Sequence, residues 1–160
     1  MWRPDFEHEE ARPARLYGFH RAMCILSNIY RGTDARPGLV LGLDRGGSCL
    51  GRAFRVAAEQ AEMVRSKLYD RELVTGVYFP LTLTVRLDDG RKVPALAFVA
   101  DRRHAQYVPP GDLDHAARLI RQGIGKAGSA RDYLACTVEQ MEALGIASGK
   151  LHRLLKLVQR

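Results

Sequence analysis

The chain has 160 residues, of which 46% are hydrophobic and 27% charged, a balance that fits a globular domain with a real core and excludes a disordered or fibrous chain. Its 25 Lys and Arg against 18 Asp and Glu leave a net charge of +7, which favours anionic partners in general. The cations are mostly single, however, and no block of like charge marks a nucleic-acid arm. No apolar run is long enough to cross a bilayer, and the opening Met1-Trp2-Arg3-Pro4-Asp5 carries no apolar signal region. The expectation is a single cytoplasmic domain spanning residues 1–160, with no nucleic-acid and no membrane partner.

The first fifteen residues are polar and contain proline, and read as an irregular lead-in. Leu16 to Ile29 is rich in aromatic and aliphatic residues and predicts extended structure. Gly38 to Leu43 is a short apolar run, followed by Asp44-Arg45-Gly46-Gly47 and then Cys49 to Val56, a pattern that predicts a hairpin with its turn at 44–47. Residues 57–72 switch to helical spacing, with Ala61, Val64, Leu68 and Tyr69 near one face. Val77 to Leu87 alternates through Leu81, Leu83, Val85 and Leu87, meets Asp89-Gly90, and returns as Lys92 to Ala100. This is the clearest hairpin in the chain, and Pro94 in its second arm suggests an edge or a bulge. Three helices are predicted after Pro109-Pro110-Gly111, over 113–122, 130–144 and 148–159, the second opened by a capping box of Ser129 and Asp132. Strands first and helices last indicate an α+β fold.

Most familiar chemical motifs fail on context. Gly123-Ile124-Gly125-Lys126-Ala127-Gly128 has the letters of a dinucleotide loop, but it follows a helix where that loop must follow a strand, so it reads as a flexible turn between helices. Cys24, Cys49 and Cys136 form no paired motif and read as buried free thiols, and the five histidines show no metal-ligand spacing. Neither a metal nor a cofactor is implied. Glu72 stands out among the acids. It falls at the predicted C-terminal end of the 57–72 helix, where unpaired carbonyls disfavour a negative charge, a setting suited to a carboxylate that trades its proton. The alternative is a solvated Glu paired with Arg71 or Lys67.

Taken together, several segments resemble the ChaC-like γ-glutamylcyclotransferases in order and spacing. They are Met1-Trp2-Arg3-Pro4, Arg31-Gly32-Thr33, Arg36 to Leu43, Gly46 to Gly51, Arg71-Glu72, Ala95 to Val99, Asp132-Tyr133-Leu134 and Gly145-Ile146. The resemblance runs over nearly the whole chain. It implies a small, closed or nearly closed mixed β-barrel with flanking helices. It also implies lyase chemistry on glutathione that releases 5-oxoproline and leaves Cys-Gly, with no cofactor and no protein partner. By the same match Glu72 is the general acid/base. Tyr133 corresponds to a late aromatic of the substrate pocket, weighed against a core tyrosine, and Arg31 would attract substrate carboxylates, weighed against a structural turn. Family members carry Tyr-Gly-Ser-Leu just before the position of Met1, on a first strand whose loop binds the glutamyl end. The expectation is therefore a barrel lacking that strand, with a catalytically impaired binding or regulatory module as the alternative function.

Overall fold

A computed structural model describes residues 4–146 and 149–160. Met1, Trp2 and Arg3 of the first family segment, and Ser148 at the expected start of the last helix, lie outside them. The chain divides into two compact units, each assembled from two stretches: Met1–Arg21 with Leu43–Asp101, and Ala22–Gly42 with Arg102–Arg160.

Strands β1 (Glu10–Ser27), β2 (Gly38–Arg55), β3 (Tyr78–Leu87) and β4 (Lys92–Ala100) close into a barrel in the order β1-β2-β4-β3. The first unit holds the larger part of it, and residues 22–27 of β1 and 38–42 of β2 are counted with the second. β3 runs antiparallel to both β1 and β4, while β4 meets β2 in parallel, so the barrel is mixed. The expected α+β fold with a small mixed β-barrel is observed, as a closed four-stranded barrel in a chain whose described residues form four α-helices.

The alternation of β3 and β4 acts as read. Val85 and Leu87 turn inward and, with Ala14 and Leu16 of β1, form a core cluster against which Phe19, Leu43, Ala53, Leu83, Val93 and Ala95 pack. A period of two delivers this because successive strand side chains point to opposite faces. Pro94 pairs with Thr84, but β4 lies between β2 and β3 rather than at an edge. The bridge to β2 is at Leu43 and Val99, at the other end of β4 from the proline, so its missing N–H disturbs no pairing there.

Two expectations about β1 and β2 need correcting. β1 starts at Glu10, inside the supposed lead-in, and Glu9 N–H already donates to Arg55 C=O at 2.8 Å. Polar residues suit that stretch because one of its faces is open to solvent. The predicted hairpin turn at 44–47 is absent, and β2 runs unbroken from Gly38 to Arg55. Gly46 and Gly47 do take positive φ, at 102° and 67°, which glycine adopts without strain, but the strand continues through them instead of reversing. His20 of β1 donates from Nδ1 to the Gly46 carbonyl at 3.0 Å.

After β2, a short 3-10 turn at Ala58–Gln60 leads into α1 (Ala61–Glu72). Tyr69 on its last turns sits edge-on to Phe98 of β4, with ring centroids 6.1 Å apart, which fixes the C-terminal end of α1 against the barrel.

The second unit holds α2 (Leu113–Gln122), a two-stranded ribbon of β5 (Ile124–Gly125) and β6 (Gly128–Ser129), α3 (Ala130–Ala143) and α4 (Gly149–Gln159). Asp112 caps α2 by accepting from His115 N–H at 2.8 Å, and Ser129 caps α3 by accepting from Asp132 N–H at 2.9 Å; the second bond is the expected capping interaction. Ile120, Leu134 and Met141 are fully buried here. No helix among the described residues is long and apolar enough to cross a membrane.

The three cysteines are free as expected, but only Cys24 is buried. Cys136 is exposed because α3 turns Leu134, Thr137, Val138 and Met141 inward, which leaves position 136 on the outer side of the helix.

Candidate functional site

The candidate residues fall in both units, Glu72 in the first and Arg31 and Tyr133 in the second. Glu72 is the last residue of α1, as the helical spacing predicted. Its neighbour Leu73 leaves helical geometry with φ −100° and ψ 10° while its N–H still reaches Tyr69 C=O at 3.0 Å. Glu72 is half-buried, with 29% of its side chain exposed. Of the two cations weighed as partners, Arg71 is the one engaged: its Nε donates to Glu72 Oε1 at 3.0 Å. Arg71 also donates through Nη1 to Asp5 Oδ1 at 2.8 Å. A chain of carboxylate, guanidinium and carboxylate thus ends at Glu72, and the cation beside it offsets the poor match between a negative group and a helix C-terminus.

In the second unit Arg31 and Tyr133 come together. The Arg31 guanidinium lies over the Tyr133 ring, 5.4 Å from its centroid, within cation–π range. The Tyr133 hydroxyl accepts a long hydrogen bond from Leu41 N–H at 3.4 Å. Arg31 also donates from Nη1 to the carbonyls of Ala127 and Ser129, and its own N–H is held by Ser27 Oγ at 3.0 Å. Both readings of Arg31 therefore have a footing. It braces a turn, and it presents a cation beside a half-buried tyrosine.

The segment that resembled a dinucleotide loop is not a flexible turn. Lys126 N–H and Ala127 N–H donate to Ile29 and Tyr30 carbonyls, each at 2.9 Å, and Ala130 N–H donates to Gly123 C=O at 2.9 Å. Backbone meets backbone where these strands of chain touch. A Cβ on Gly123 would stand 2.3 Å from Gly38 Cα, and one on Gly125 would stand 2.6 Å from Gly32 N. The glycines at 32, 38, 123 and 125 interlock because no side chain fits between the backbones. This cluster escaped the sequence reading, since close approach of segments so far apart in the chain leaves no local pattern. Asp5 was missed for the same reason.

Among the described residues no group of three His, Cys, Asp or Glu is placed to hold a metal ion. The arrangement at Glu72 can accept and return one proton at an accessible carboxylate, and the Arg31–Tyr133 pair can present a positive charge and a hydroxyl.

The sequence model of the ChaC-like protein family matches residues 1–160. A glutathione-specific γ-glutamylcyclotransferase of Escherichia coli is 36% identical over 160 residues, covering all of this chain and 69% of the relative. A human protein, glutathione-specific γ-glutamylcyclotransferase 1, is 31% identical over 149 residues, covering 91% of this chain and 67% of its own length. A Schizosaccharomyces pombe relative named as a glutathione-specific γ-glutamylcyclotransferase is 30% identical, covering 95% of this chain and 83% of its own. Among solved structures, a yeast γ-glutamylcyclotransferase specific to glutathione superimposes with a TM-score of 0.87 at 21% identity, covering 98% of this chain and 90% of the yeast chain. That last likeness speaks to the fold.

Proposed function

The chain belongs to the ChaC-like family, and from that premise we propose that it degrades glutathione as a γ-glutamylcyclotransferase, with residues 1–160 acting as one domain. The observation that carries this reading is the match to the Escherichia coli relative at 36% identity over the whole of this chain and 69% of the relative. Glu72 is the group we assign to the proton transfers, supported by its place at the accessible end of α1 with its carboxylate tethered by Arg71.

The chemistry follows from the substrate. The α-amine of glutathione lies within its own molecule at five-membered-ring distance from the γ-glutamyl carbonyl, so most of the entropy of bringing nucleophile to electrophile is already spent. Glu72 takes a proton from the α-ammonium, and the freed amine adds to the γ-carbonyl carbon, forming the new C–N bond. The ring nitrogen of the tetrahedral intermediate then gives up a second proton, the cysteinyl nitrogen takes one as its C–N bond breaks, and the freed amine takes another to leave as an ammonium, with Glu72 relaying these protons. The products are 5-oxoproline and Cys-Gly. The α-nitrogen loses two protons and the leaving nitrogen gains two, so protons balance and no redox partner is needed. Arg31 and Tyr133 are assigned to substrate binding, as a cation for a carboxylate and a hydroxyl for the glutamyl moiety. Three free thiols support a reducing, cytoplasmic compartment.

The test is Glu72→Gln, which keeps shape and hydrogen bonding but moves no proton. It is expected to lower 5-oxoproline release from glutathione by about a hundredfold or more, with the circular dichroism spectrum and thermal midpoint unchanged. A variant that turns over at the parent rate removes Glu72 from the mechanism. Glutathione that raises the thermal midpoint of the parent without turnover makes the chain a binding module instead.

A further inference from the structure

Arg71 makes a contact that helix geometry alone does not supply. Adjacent residues on a helix point well apart and do not normally face each other, yet Arg71 Nε reaches Glu72 Oε1 at 3.0 Å. Two features make this possible. Glu72 is the last helical residue, so its side chain is released from the packing of a following turn. In addition, the guanidinium is held from its other end by Asp5, which precedes β1 and lies 66 positions away in sequence. A guanidinium engaged on two of its nitrogens by two carboxylates has few rotamers left, because its donors are fixed in one plane.

Stability does not account for the arrangement. The side chains are 35% exposed at Arg71, 29% at Glu72 and 63% at Asp5, and ion pairs at such sites contribute little once screening and side-chain entropy are counted. Its distinctive product is geometric: it holds one carboxylate oxygen of a residue that would otherwise swing freely at a helix end.

We propose that Arg71 is the positioning residue for Glu72, with Asp5 as its outer anchor, and that this relay sets the pose of the carboxylate for proton transfer. The inference rests on the assignment of Glu72 under the proposed function. Arg71 acts through Glu72 and does not hold the substrate, so its loss falls on kcat and leaves KM in place.

The experiment measures kcat and KM for 5-oxoproline release from glutathione in Arg71→Gln, Arg71→Lys, Asp5→Asn and the double variant Asp5→Asn/Arg71→Gln, beside the parent and Glu72→Gln. Misplacing a reacting group by about an ångström costs up to about a hundredfold. Arg71→Gln is therefore expected to lower kcat by about tenfold or more with KM within about twofold, the pattern of an interaction made only in the transition state. Arg71→Lys keeps the charge but not the planar fork and recovers part of the loss. Asp5→Asn is expected to lower kcat by about threefold, with no further loss when added to Arg71→Gln, since a residue acting only through Arg71 has nothing left to act on. Parental kcat in Arg71→Gln overturns the proposal, and so do losses that multiply in the double variant. If Arg71→Gln lowers the thermal midpoint, the exposed Asp5→Asn decides, and a parental kcat there overturns it. A parent without turnover, or an active Glu72→Gln, overturns the proposed function and this inference together. An active parent with a dead Glu72→Gln and an unaffected Arg71→Gln overturns the inference alone.

Discussion

The two units of the chain are held by different means. In the barrel unit the paired strands enclose a core of side chains. Aliphatic residues of β1 and β3 meet in the core cluster, and Arg12 is fastened to Asp88 at 2.7 Å and to Asp89 at 3.2 Å on the outside. In the helical unit the decisive contact is between backbones, where glycines at 32, 38, 123 and 125 leave no room for a Cβ. Side-chain packing can adjust to a change by repacking. Backbone against backbone cannot, because the atoms that would have to move are those that define the fold. The candidate residues inherit the difference: Glu72 sits at an accessible helix end steadied by charge, while Arg31 is tied to carbonyls of the same loop that the glycines lock.

The largest effect that would test this contrast is steric. Gly123→Ala is expected to destabilise the protein by about 3 kcal/mol or more, since its Cβ would meet Gly38 Cα and Arg31 O and neither atom can yield without moving the main chain. Gly149→Ala is the matched control. It opens α4 with nothing within 4 Å of the added carbon, and is expected to change stability by less than about 1 kcal/mol. Urea denaturation of both measures the difference, and equal midpoints would mean that the interlock imposes no constraint.

A smaller effect separates bracing from binding at Arg31 and Tyr133. Tyr133→Phe is expected to raise the KM for glutathione by about fivefold, as for the loss of one hydrogen bond of about 1 kcal/mol, with folding intact. Arg31→Lys keeps the charge and loses the guanidinium that bonds Ala127 and Ser129 through Nη1, and is expected to move KM in the same direction. Parental KM in both variants would assign the pair to architecture alone.

The smallest effect concerns acid. Asp88 is held below the usual carboxylate range chiefly by the hydrogen bond from Arg12. Asp89 is held low by the Arg91 N–H and then the Arg91 side chain, and Asp112 by the His115 N–H that it caps. A carboxyl lowered on folding stabilises the native state above its unfolded value of about 4, and that stabilisation disappears as pH falls through the lower folded value. The thermal midpoint is therefore expected to decline below about pH 4. Arg12→Gln should shrink the share of the decline that comes from the barrel, because Asp88 then loses its main cause of depression. All three carboxyls are open to solvent, so the effect is modest and salt reduces it. An identical pH dependence in parent and Arg12→Gln would remove Arg12 from the acid response.

What could be read in the sequence was what local chemistry decides. The β3–β4 hairpin followed from alternation through Leu81, Leu83, Val85 and Leu87 with a turn at Asp89-Gly90, and its register pairs Leu83 with Ala95. The bounds of α2 at 113 and 122 were read as they stand, and so were the Ser129 cap and the place of Glu72 at the end of α1. In each case the residues that decide the structure lie within a turn or two of each other. Tertiary structure decided the rest. Gly46-Gly47 has the composition of a turn, and only the tertiary setting, with His20 hydrogen-bonded to Gly46, keeps it within one long strand. Gly123 to Gly128 has the composition of a flexible link, and only contact with residues 29–38 pins it. The sequence placed a carboxylate at Glu72 with a cation next to it. The bond between them and its anchor at Asp5 depend on the chain ahead of β1 returning to the end of α1, and no local periodicity encodes a contact between residues so far apart.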